Sequence, residues 1–144
     1  MMVIVVGVDG SEHAARAVEW SAKYAKLLDA EVVVVHAIDI PVYAGVGFGS
    51  AYIPMPAMTE AQRAELHEHV TEHWCTALTR DGVPFRVVCV DGYAANVIME
   101  VAKKENADLV VTGRRGQGGF AELVLGSTSH QLAHHLARPL VIVP

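Results

Sequence analysis

The sequence predicts an α/β fold: a single domain with a doubly wound parallel sheet and helices on both faces. Two observations lead there. Short apolar, β-branched runs alternate with stretches of helical spacing along all 144 residues. Four of these runs are nearly unbroken, the pattern of strands covered on both sides. Parallel neighbours need a crossover, and crossovers are right-handed, so the alternation selects helices packed on a parallel sheet. A chain of this length buries roughly two-thirds of the surface its unfolded form exposes, enough for one core.

The first strand is predicted over residues 3–8, followed by a helix over 11–28 in which Ala14, Val18, Ala22 and Ala25 share a face. A second strand covers 32–38. After a long connection, a helix over 59–80 places Leu66, Val70, Trp74 and Leu78 at strict i, i+4 steps. The third strand is 85–90, and the helix over 93–105 carries Val97, Ile98, Val101 and Ala102. The fourth strand begins at 109, and the last helix, 127–137, carries Leu132, Ala133, Leu136 and Ala137 before a final strand over 140–143. Thr59 with Gln62, and Thr128 with Gln131, carry the spacing of a capping box.

Composition narrows the function. The apolar fraction is 52%, and the formal net charge is −5, which opposes broad binding to nucleic-acid phosphates but leaves room for one small anion. The apolar runs are far shorter than the ~20 residues a bilayer span requires. The start of the chain has no signal-peptide pattern. Cys75 and Cys89 have no metal-type spacing and read as reduced thiols, as in a cytoplasmic protein.

In doubly wound sheets, ligands bind beyond the carboxyl ends of strands. That directs attention to residues 9–12, 37–58, 91–92 and 113–127. The stretch 40–58 has three glycines, three prolines and no charge, with Tyr43, Phe48, Tyr52, Met55 and Met58 among its residues. Such a long connection is normally functional or disordered. Two readings stand for it: a lid over a ligand, or a flap packed on a partner.

The strongest local signal is GRRGQGGFAELVLGSTS, residues 113–129. Its glycines at 113, 116, 118 and 119 can leave main-chain N–H groups convergent on an anion. Gly126, Ser127 and Thr128 then open a helix whose first-turn amides lack partners and carry partial positive charge. Arg114 and Arg115 are the only Lys or Arg residues between 105 and 137; each either clamps a phosphate or points into water. A plain glycine turn before a capped helix is the bland alternative. This is neither a Walker A loop, which needs a Lys, nor a dinucleotide fingerprint, which follows the first strand. The segment suits holding phosphates, not cleaving them.

At these residues the chain resembles the universal stress protein family. Its nucleotide-binding members carry Gly, two residues, Gly, nine residues, then Gly followed by Ser or Thr. Here that spacing is met by Gly113, Gly116, Gly126 and Ser127. The opening VIVVGVDGSEHAARAVEW, the ADLVVTGRRG segment and the terminal ARPLVIVP extend the likeness over the whole chain. The resemblance implies strand order 3-2-1-4-5 in an adenine nucleotide alpha hydrolase-like fold, with ATP across the switch point. It implies that Gly7, Val8 and Asp9 meet adenine and ribose, and that Ala37 contacts the base. Thr112, Gly113 and Gly116 would line ribose and phosphates, and Gly126, Ser127 and Thr128 would take the phosphates. It further implies a homodimer through the last strand, 140–143. Asp9 near a polyanion is tolerable if it bonds the ribose or base, or if Mg²⁺ intervenes; its alternative is a cap for the helix beginning near Ser11.

His69 with His73, and His130 with His134, are i, i+4 pairs, but no further ligand completes a metal pattern. No serine stands in an esterase context, and no general base is evident. The reading is a nucleotide-dependent regulatory protein of the stress-response type. Two alternatives stay open: slow ATP hydrolysis or self-phosphorylation through Ser127 or Thr128, and a nucleotide-free module docking through 40–58.

Overall fold

The computed structural model describes residues 1–39, 42–44, 52–54, 57–116 and 125–144, the two three-residue segments as backbone only. Its elements are β1 (Met2–Gly7), α1 (Glu12–Leu28), β2 (Ala30–Ile38), β3 (Val42–Ala44), β4 (Tyr52–Pro54), α2 (Glu60–His69), α3 (Thr76–Arg80), β5 (Phe85–Asp91), α4 (Ala94–Lys104), β6 (Leu109–Gly113), α5 (Ser127–His135) and β7 (Leu140–Val143). Five strands form one parallel sheet in the order β5-β2-β1-β6-β7, which is 3-2-1-4-5 counted along the chain.

Unbroken valine runs serve two cores because successive side chains leave a strand on opposite faces. Ile4, Val6, Val32 and Val34 pack with α1 residues Ala14, Ala17, Val18, Ala22 and Ala25. Val5, Val33 and Val35 pack on the other face with Val97, Ile98, Val101 and Ala102 of α4 and Leu132 of α5. A strand apolar on one side only would have left one of these layers without a floor.

Three local features differ from the sequence expectation. The helix predicted over 59–80 is divided, with a π turn at Val70–Trp74 between α2 and α3. A step of four residues overshoots an α-helical turn by about 40°; the wider π turn removes that overshoot, so Val70 and Leu78 both reach the core. Trp74 thereby lies against Gly10 and edge-on to His36, ring centroids 5.1 Å apart. Second, β3 and β4 pair antiparallel inside the long connection, as Val42 with Pro54 and Ala44 with Tyr52. The remainder of 40–56, and with it the lid-or-flap question, lies outside the described residues, as do Gly118 and Gly119.

The third difference concerns caps. Thr59 and Gln62 form the expected reciprocal box, at 3.2 and 2.9 Å. Thr128 and Gln131 do not. The N-cap of α5 is Gly126, so Thr128 is already inside the helix and cannot hold the extended conformation a cap requires. Asp9 is likewise not the cap of α1. Ser11 is, accepting the Ala14 N–H at 3.1 Å, while Asp9 Oδ1 accepts the Ser11 N–H at 2.9 Å and steadies the turn.

Candidate functional site

The first and fourth strands of the sheet, β1 and β6, lie side by side but send their chains to helices on opposite faces, which opens a crevice at their carboxyl ends. A cavity of about 560 Å³ occupies it. Gly7, Val8 and Asp9 line it from the end of β1, and Ala37 from β2. Thr112, Gly113, Arg115 and Gly116 line it from β6 and the turn beyond; Gly126, Ser127 and Thr128 line it from the start of α5.

Arg114 is the sequence candidate that does not reach this lining. Its main chain is a tie: the N–H donates to Val143 O at 2.8 Å, and the carbonyl accepts from Gly126 N–H at 2.7 Å and Ser129 Oγ at 2.8 Å. Of the pair, Arg115 lines the cavity and Arg114 does not. The buried Ser129, which also donates to Gly126 O at 3.1 Å, was not foreseen from the sequence. It fastens the glycine turn to α5.

Close approach explains two of the glycines. A Cβ on Gly116 would fall on Asp9 Oδ2, inside any contact real side chains make. A Cβ on Gly126 would lie 3.1 Å from Arg115 Cα and 3.5 Å from Gly116 N. The start of α5 is thus pressed against the turn, and both present main chain to the cavity.

The electrostatics follow from what is missing at this helix end. Gly126 has no side chain to accept from the first amides of α5, so their partial positive charge faces the crevice. Arg115 Nε is buried with no hydrogen-bond partner among the described residues, as is Arg114 Nε. The same positive region disfavours protonation of His13, whose pKa is lowered by burial first and then by Arg16, Arg114 and Arg115. An Arg115 Nε without a partner among the described residues, beside open helix amides, is chemistry that suits an anion. Among the described residues, no group of three His, Cys, Asp or Glu could hold a metal ion. Cys75 and Cys89 are free thiols, and burial pushes Cys75 up to about 11, so it stays protonated and inert. No helix among the described residues is long and apolar enough to cross a membrane.

A family model described as the universal stress protein family matches residues 1–144. The chain belongs to this family. Among curated universal stress proteins, one from Thermus aquaticus is 32% identical, covering 97% of this chain and 96% of its own length. One from Methanocaldococcus jannaschii is 27% identical, covering 97% and 80%. Solved universal stress proteins share the fold. That of Lactobacillus plantarum superposes with a TM-score of 0.77 at 18% identity, covering 99% of this chain and 97% of its own. The Archaeoglobus fulgidus protein in complex with dAMP gives 0.70 at 20% identity, covering 100% and 98%. A universal stress protein in complex with cAMP gives 0.68 at 23% identity, covering 99% and 96%.

His36, Asp39, Tyr93 and Gln131 also line the cavity of this universal stress protein, and sequence reasoning did not assign them to it. His36 Nδ1 lies 2.9 Å from Val8 O, holding the end of β1 to the end of β2. The signal available was position alone: Asp39 directly follows β2, and Tyr93 comes two residues after the end of β5.

Proposed function

We propose that this cavity binds an adenine nucleotide, ATP in the cell, and that its occupancy sets the state of a regulatory, stress-response protein. The carrying observation is the uncapped start of α5, lining one cavity with the glycine turn and with Arg115, whose Nε has no partner among the described residues. Family membership and the dAMP and cAMP complexes of structural neighbours support an adenine base. In this reading Gly7, Val8, Asp9 and Ala37 hold base and ribose. Thr112, Gly113, Arg115, Gly116, Gly126, Ser127 and Thr128 hold ribose and phosphates. Mg²⁺, if it accompanies ATP, would take most of its ligands from phosphate and water.

Release and identification of small molecules from freshly purified protein, with calorimetric titration of ATP, tests the proposal. Adenine nucleotide in the purified protein and micromolar affinity are expected, roughly −8 kcal/mol. No nucleotide and no heat with excess ATP would remove it. Ser127 and Thr128 keep a second reading, slow hydrolysis or self-phosphorylation, because both hydroxyls line the same cavity. Turnover unchanged in a Ser127→Ala, Thr128→Ala double variant would exclude them as acceptors. The proposal extends to a homodimer through β7, an edge strand with no charged residue to blunt it.

A further inference from the structure

We infer that Tyr93 stacks on the base of the bound nucleotide and closes that end of the cavity; the inference rests on the nucleotide reading above. The main chain at Tyr93 is fixed. It is the N-cap of α4, with its carbonyl accepting the Val97 N–H at 2.9 Å. The preceding Gly92 N–H donates to Ile38 O at 3.0 Å, which ties this turn to the end of β2 beside Ala37. Its side chain makes no cap hydrogen bond, and Tyr93 is 77% exposed although it lines the cavity. Next to it the lining continues with Ala94 and Ala95, whose small side chains leave room for a flat group.

Charge decides which end of a nucleotide lies there. Two carboxylates line the cavity. Asp9 lies against Gly116, where Arg115 and the amides of α5 offset its charge. Asp39 lies on the β2 side, where no Lys or Arg among the described residues lines the cavity beside it, and it repels phosphate. Arg115 and the start of α5 lie on the β6 side, with β1 between. Phosphates therefore take the β6 side and the base takes the Tyr93 side. An aromatic residue with its main chain fixed at the rim and its side chain open to solvent offers a stacking platform: every base has a π-face, and covering the ring removes apolar surface from water.

The test titrates full-length wild type, Tyr93→Ala and Tyr93→Phe with ATP, adenosine and inorganic tripolyphosphate. Tyr93→Ala is expected to weaken ATP and adenosine by about tenfold, leave tripolyphosphate unchanged, and melt like wild type. Tyr93→Phe is expected to bind like wild type. Adenosine bound equally well by wild type and Tyr93→Ala overturns the inference. So does an equal loss for all three ligands, which would mark a structural role. Wild type that binds tripolyphosphate but not adenosine removes the base platform and spares the anion cradle. Wild type that binds none of the three removes the proposed function, and this inference with it.

Discussion

Replacing Gly116 with alanine is the sharpest perturbation of the proposed cradle. The added Cβ would land on Asp9 Oδ2, and Asp9 cannot swing away freely because its Oδ1 holds the Ser11 N–H at 2.9 Å. Ordinary contact begins near 3.4 Å, so either the carboxylate or the turn around Gly116 must shift. A displacement of that kind moves the Gly116 amide off any phosphate it serves. Loss of one charge-assisted hydrogen bond corresponds to about 1.5–3 kcal/mol, tenfold or more in affinity. Gly116 is exposed, so the thermal midpoint should move little. Calorimetry with ATP and with adenosine separates the two routes: a large loss for ATP is expected, with adenosine little changed if the turn shifts and weakened as well if the Asp9 carboxylate is displaced. In an Asp9→Ala background the collision is gone, and Gly116→Ala should then cost much less, a coupling that a double-mutant cycle reads directly. Equal ATP affinity in Gly116→Ala, or a full loss persisting without the Asp9 carboxylate, would refute the steric argument.

The other expectations concern charge and fastening. Arg115→Gln should reduce ATP affinity about tenfold and AMP affinity less, whereas Arg114→Gln should change either by no more than about threefold; titrations of both variants with both nucleotides check this. His13 has a native pKa below its ordinary 6.5, so the unfolded chain takes up its proton first as the pH falls. Stability from this group is therefore complete above 6.5 and declines as the pH drops from there toward the lowered native value; denaturant melts of His13→Asn should show a flatter profile in that window. Phosphates near Arg115 would offset the repulsion on His13, so ATP binding near pH 6 should take up protons, measured by calorimetry in two buffers of different ionisation enthalpy and absent in His13→Asn. Ser129→Ala removes the hydroxyl that fastens Arg114 O and Gly126 O, and should lower stability by about 1–2 kcal/mol in the same melts.

The layering was legible because it rests on short-range patterning. Val32 to Val35 read as a strand covered twice, and each valine went to one of two cores as pleating requires. The helix at 59–80 was legible as apolar spacing, but not its π turn, because the same i, i+4 list fits a drifting α-helix and a corrected one. Thr128 and Gln131 had the right types and spacing for a cap, yet the N-cap of α5 falls two residues earlier, at Gly126, whose N–H reaches Arg114 O at 2.7 Å.

By itself the amino-acid order determined which segments would be strands and helices, and that a glycine-rich turn would precede a helix. Those are local properties of periodicity and backbone freedom. Only the tertiary structure decided that Arg115 lines the crevice while the Arg114 main chain ties the turn to β7, and that Tyr93, more than twenty residues before them in the chain, lines the same cavity. Side-chain direction and the meeting of distant strand ends follow from how the sheet closes and the helices pack, and nothing in the local sequence carries that information.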